Sequence, residues 1–201
     1  MKSIIIALLV LADVVARATI MIGPQTFTPA NGVIPDGNPV GTVFNGNFTW
    51  APSGDQILGP VEVTLNVSGG YAGDLYAYLV DPKGEMVVLM NRPGQGSGTP
   101  FGNPSSGFNI TLAASGGQSS FASSGQLSGT YNVAGLGNLS GNATGNWELY
   151  FADLSPGGVS TVTSWGLGVT VVPEPVTVAL GVFGVLLVGL GTVRWARSRA
   201  V

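Results

Sequence analysis

The 201-residue chain has no cysteine and no histidine. Without cysteine it forms no disulfide, offers no thiolate nucleophile and builds no soft metal site. Without histidine it has no Ser-His-Asp triad, no Cys-His pair and no imidazole-bound zinc or iron. Charge is scarce as well, at 8% of residues. From Thr19 to Val172 only Lys83 and Arg92 are basic, against eight acidic residues, so this stretch carries a net charge of −6. Nothing there can neutralise a run of phosphates, which leaves no case for nucleic acid as a partner. Amphipathic helical patterning of convincing length is missing too.

Glycine and apolar residues are what the chain has in quantity: 32 glycines and a hydrophobic fraction of 45%. Together they point to a turn-rich β protein with enough apolar surface to fold. The segment VEVTLNVS (61–68) alternates strictly, with Val61, Val63, Leu65 and Val67 on one face and polar groups on the other. That period of two marks a strand with one buried face. DLYAYLV (74–80) sets Leu75, Ala77 and Leu79 against Tyr76, Tyr78 and Val80. DPKG (81–84) has the Pro and Gly positions of a type I turn, and EMVVLM (85–90) completes a hairpin.

Further strands are expected at 42–50 (Phe44, Phe48 and Trp50 on one side), 108–114, 129–135, 146–153 and 162–172. The pattern predicts an all-β fold, an antiparallel, jelly-roll-like β-sandwich of about eight strands. Two long Gly/Ser/Pro-rich stretches, 91–107 and 115–129, read as mobile loops. Five Asn-x-Ser/Thr triplets (Asn47, Asn66, Asn109, Asn138, Asn142) read as polar residues on outward strand faces, with glycosylation as the alternative.

The two ends of the chain differ from its middle. Lys2 precedes an apolar stretch, and Ala16-Arg17-Ala18 fits the small-x-small pattern of signal peptidase, giving a signal peptide over 1–18. Asp13 interrupts that stretch, and a retained N-terminal anchor is the alternative. At the other end, Val176 to Val193 is 18 residues without a charge. As a helix rising ~1.5 Å per residue it spans roughly 27 Å, close to the ~30 Å hydrocarbon core of a bilayer. Arg194, Arg197 and Arg199 follow around Trp195 and would hold that end in the cytoplasm. The domain at 19–172 is therefore expected outside the cytoplasmic membrane. Pro173-Glu174-Pro175 stands between domain and helix, where the prolines stop the last strand and keep the segment extended.

Three aspartates suggest calcium. Asp74 opens a strand, Asp81 ends it, and Asp153 ends the strand carrying Trp147. Carboxylates at strand ends can converge on one rim and hold a hard cation. Ordinary turn chemistry, which favours aspartate at such corners, is the competing account.

Two resemblances add to these readings. Gly73-Asp74-Leu75, Leu79, Asp81-Pro82-Lys83-Gly84, Gly145-x-Trp147-x-Leu149-x-Phe151-x-Asp153 and Ser164-Trp165-x-Leu167-x-Val169 resemble the P domain, or Homo B domain. That β-sandwich module follows the catalytic domain of kexin- and furin-like convertases, and the similarity covers about residues 30–172. The family usually has serine where Asp81 stands. Val172-Pro173-Glu174-Pro175, the apolar helix and the arginine-rich tail, together 173–201, resemble the PEP-CTERM sorting signal of Gram-negative bacteria. This second resemblance implies an exosortase-type membrane enzyme as processing partner, often in organisms with an extracellular polysaccharide matrix.

The combined expectation is an exported, non-catalytic module, first anchored in the inner membrane and then delivered to the envelope, surface or matrix. An accessory role in serine-type proteolysis and glycan binding through Tyr71, Tyr76 and Tyr78 are the alternatives, with extracellular polysaccharide as a candidate partner.

Overall fold

The computed structural model describes residues 20–49 and 56–172, together with 183, 184 and 186. The expected signal peptide, Trp50, Pro173, Glu174, Pro175, Arg194, Trp195, Arg197 and Arg199 lie outside the described residues, as does most of 176–193. Phe183, Gly184 and Leu186 are helical. Among the described residues, no helix is long and apolar enough to cross a membrane.

Among the described residues, eleven strands form two sheets. The first contains β1 (Ile20–Phe27), β11 (Ser160–Val172), β4 (Gln56–Gly69), β7 (Phe108–Ala113) and β8 (Ser128–Asn132), in that order. Two short strands join it: β2 (Val33–Ile34) on β11 and β9 (Gly141–Asn142) on β4. The second sheet runs β3 (Thr42–Phe48), β10 (Gly145–Asp153), β5 (Leu75–Val80) and β6 (Met86–Asn91).

One core lies between the sheets, and the period-two residues fill it. Val61, Val63, Leu65 and Val67 are buried from the first sheet, and Leu75, Ala77 and Leu79 from the second. Trp147, Leu149 and Phe151 of β10 face Trp165, Leu167 and Val169 of β11 within the same cluster. The sheets meet closely over Trp165. A Cβ on Gly46 of β3 would fall 2.5 Å from its Cζ2 atom, so only glycine lets the second sheet settle there. Phe27, the cross-strand partner of Trp165 on β1, packs beside the ring, with centroids 4.5 Å apart. Trp147 donates its indole N–H to the Ala143 carbonyl at 3.0 Å, whereas the buried Trp165 indole N–H finds no partner among the described residues. Truncating either tryptophan would cost about 3–5 kcal/mol, the range for an aromatic removed from a packed core.

The structure departs from the expected topology in two ways. β7 and β8 pair in parallel (Asn109↔Ser128 to Ala113↔Asn132), so the sheet is not wholly antiparallel. The connection through 114–127 is long enough for the chain to cross over and return in the same direction. There are also three more strands than the alternation suggested. In β1, Gly23-Pro24 interrupts the pattern where the register with β11 shifts between Ile22 and Gln25. β2 and β9 have two residues each, too few to show a period.

The hairpin expected at 81–84 forms. The Gly84 N–H donates to the Asp81 carbonyl at 3.0 Å, and the Asp81 N–H to that of Glu85 at 3.0 Å. Gly84 has φ +92°, which a side chain would strain.

Candidate functional site

Three strand ends converge on one rim of the sandwich. β5 begins there, after a single 3-10 turn at Ala72–Asp74, while β6 and β10 end there. Their registers pair Leu75 with Asp153 and Tyr76 with Asn91. The Asp74 carbonyl accepts the Leu154 N–H at 2.8 Å, locking the turn to the end of β10.

Arg92 follows directly on β6. Among the described residues it is the one non-glycine with a left-handed backbone, φ 47°. Its N–H donates to the Leu75 carbonyl at 2.9 Å. Its guanidinium reaches across the rim, donating from Nε to the Gly73 carbonyl at 3.3 Å and from Nη2 to the Ser155 hydroxyl at 3.1 Å. Nη2 also stands 3.6 Å from Asp74 Oδ1.

The loop over 91–107, expected to be mobile, is instead stitched to this rim. Gly73 N–H donates to the Asn103 carbonyl at 2.8 Å, Ala72 N–H to Ser105 at 3.0 Å, and Asn103 N–H to Pro93 at 2.7 Å. The fully buried Asn103 donates its amide to the Ala122 and Gly125 carbonyls at 2.8 and 3.0 Å, so it also ties down the second long loop. Leu127, buried in the core, and Phe121, stacked on Tyr131 at 4.6 Å, anchor that second loop as well. Gly73 makes the closure possible, because a Cβ there would collide with the Phe101 carbonyl oxygen.

Between this loop and the 155–156 corner lies an open cleft of about 630 Å³. Tyr71, Asp74, Arg92, Phe101 and Ser155 contribute its distinctive chemistry. Phe101 is 78% exposed and Tyr71 45%, unusual for aromatics, whereas the Asp74 and Arg92 side chains are 10% and 24% exposed. Burial holds the Asp74 carboxyl above the ordinary carboxylate range, outweighing its hydrogen bond with Ser155 and the nearby Arg92 charge. Burial also raises Asp153, helped by the negative charges of Asp74 and Asp36. Asp153 accepts the Ser155 N–H at 3.2 Å through Oδ1. Asp36 is occupied in holding the Gly157 N–H at 3.0 Å.

The calcium expectation brought Asp74, Asp81 and Asp153 together, and the structure corrects this. Asp74 and Asp153 share the rim, but Asp81 lies beyond the other end of the six-residue β5, about 20 Å away at ~3.3 Å per residue. There Asp81 serves its turn, accepting the Lys83 and Glu85 N–H groups at 3.0 and 2.7 Å. Among the described residues, no group of three or more His, Cys, Asp or Glu side chains is placed to hold a metal ion. Of the three tyrosines considered for sugar stacking, only Tyr71 lines the cleft. Tyr78 stacks on Tyr150 at 4.3 Å and 15°, and Tyr76 meets both rings edge-on, so these faces cover one another. The five asparagines of the Asn-x-Ser/Thr triplets are all exposed.

Residues 58–169 match the proprotein convertase P-domain family. The chain belongs to that family. The matched span runs from within β4 to within β11, so this P domain includes both tryptophan-bearing strands and the whole rim. Among solved structures, it is similar to a serine protease of Aeromonas sobria at 14% identity and a TM-score of 0.48. That alignment covers 78% of this chain and 28% of the protease. The complex of the same protease with the chaperone ORF2 gives 14% identity and a TM-score of 0.48, covering 79% of this chain and 28% of that one. FLHE is similar at 11% identity and a TM-score of 0.37, over 77% of this chain and 98% of its own. No curated protein matches the chain.

Arg92, Phe101 and Ser155 carry no motif, and sequence reasoning did not single them out as site residues. The available signal was the rarity of arginine: Arg92 is the one arginine between Thr19 and Val172.

Proposed function

We propose that this P domain is a non-catalytic module exported across the inner membrane, held there by the apolar helix, and sorted to the envelope or matrix. An exosortase-type enzyme would read Pro173-Glu174-Pro175 and part the domain from residues 176–201. The observation that carries this reading is the pairing of the last described strand right up to the motif. β11 is paired on both sides almost to its end, with Val171 against Ile20 and Ile57 and Val172 against Gln56, and the tripeptide begins at the next residue. An enzyme that reads a motif following β11 in sequence would have no need to unfold the paired strand.

The cleft chemistry suits binding better than turnover. Asp74 is the single carboxylate among its lining residues, whereas glycoside hydrolysis by general acid and base needs two. A second reading, an accessory role to a separate serine protease, rests on family membership, since P domains accompany such catalytic domains.

Glu174→Ala tests the proposal. It leaves the apolar helix and its arginines intact, so insertion should be normal, and it removes the one charge of the motif. The variant should accumulate at full length in the inner membrane while wild type appears as a shorter species outside it. Equal amounts of full-length protein from both would make the segment a permanent anchor. Protease activity that depends on co-expression of this chain would favour the accessory reading.

A further inference from the structure

We propose that the cleft between Tyr71, Phe101 and the Asp74–Arg92 pair binds a neutral carbohydrate. Its size falls within the roughly 300–1,000 Å³ of small-ligand sites, at about 630 Å³. Two aromatics stand exposed at its walls, in contrast to the tyrosines of the outer sheet face, which pack on one another. Aromatic rings left bare at a cleft suit the flat apolar face of a pyranose. Pro100, Pro104 and Pro156 fix the backbone around the cleft, so little loop entropy remains to be lost on binding.

The polar groups specify the ligand class. Arg92 offers only donors and an ionised Asp74 only acceptors, and they lie 3.6 Å apart. A sugar hydroxyl donates and accepts at once, so adjacent hydroxyls can bridge such a pair. An acidic ligand fares worse, because the Arg92 charge already faces Asp74 and the surrounding domain carries a net charge of −6. The backbone of Arg92 points the same way. At φ 47° it occupies the left-handed region that residues other than glycine rarely adopt, and its guanidinium reaches into the rim.

The inference deepens the reading of a matrix-associated module and rests on it for its biological setting, but its test is independent of sorting. Detergent-solubilised full-length protein would be titrated by calorimetry with hexasaccharides of neutral glucan, xylan, mannan and galactan, with oligogalacturonate as the acidic control. At least one neutral oligosaccharide should bind and oligogalacturonate should not. Phe101→Ala, which removes an exposed ring, should weaken binding about tenfold, with an unchanged melting temperature. Phe101→Tyr should restore it, and Tyr71→Ala should weaken it similarly.

Binding of none of the neutral sugars, binding of the acidic one alone, or equal binding by wild type, Phe101→Ala and Tyr71→Ala would each overturn the proposal. So would retention of peptides from a casein digest in place of sugar. Failure of sugar binding with normal Glu174-dependent processing would sink the cleft assignment alone. Normal sugar binding without processing would sink the sorting reading alone.

Discussion

Strand β5 has an aspartate and a glycine near each end, and the two ends use them differently. At the Asp81 end the Asp81 carboxylate and the Gly84 N–H bond only within a local turn, to residues at most four apart. Nothing lies within 4 Å of where a Gly84 side chain would begin. At the Asp74 end, Gly73 lies against the backbone of a loop some thirty residues along the chain, and Asp74 faces an arginine from another strand end. The same residue types close a hairpin at one end and assemble a cleft at the other. The difference is in what the neighbouring chain brings, not in the residues themselves.

Four substitutions or conditions probe this contrast, the largest effect first. Gly73→Ala should destabilise the domain by about 3 kcal/mol, the upper range for overpacking, because backbone at Phe101 and Asn103 must move. Chemical denaturation measures the loss, and an unperturbed cleft in the variant would contradict the close fit.

Asp81→Ala should cost about 2 kcal/mol through two stranded backbone donors, at a residue only 3% exposed. Asp81→Ser should recover much of this, since its hydroxyl can still accept, and sugar titration of both variants should match wild type.

Gly84→Ala should cost about 1 kcal/mol of backbone strain with no clash, so it should lower the melting temperature less than Gly73→Ala does.

The smallest effect is the pH dependence of the cleft end. Asp74 and Asp153 both titrate above their ordinary value in the folded state, chiefly through burial. The folded protein therefore binds these protons more tightly than the unfolded chain. Their contribution is fully present below the ordinary carboxylate pKa and is lost as pH rises through the raised folded values. Lowering the pH from neutral into that window should favour the fold, and Asp153→Asn should flatten the response. Identical pH profiles for wild type and Asp153→Asn would remove the effect from this residue.

The sequence displayed what is periodic and local. Val61 to Val67, the two tryptophan-led faces and the DPKG turn were legible because each follows from neighbours within a few residues. β1 was hidden by Gly23-Pro24, and the parallel pairing of β8 depends on a crossover that no residue pattern encodes. The cleft was hardest to see. Its key side chains come from near 71, 92, 101 and 155, and their proximity is a property of the sheet register. Glycine-rich composition suggested loose loops, yet the buried Asn103 amide, Leu127 in the core and Phe121 on Tyr131 fasten them.

The position of β11 has a mechanical consequence. It is an inner strand of 13 residues, flanked by β1 and β4, and it leads straight to the tripeptide. Ladder hydrogen bonds run across the strand direction, so a pull along the chain at Val172 loads both flanking ladders in shear rather than peeling them one rung at a time. A domain tethered by its C-terminus would therefore resist extension. Single-molecule stretching should find a higher rupture force when the handle is attached at residue 172 and pulls along β11 than when it pulls across the edge strand β6. Any load applied through that end would then act on the molecule along its inner strand.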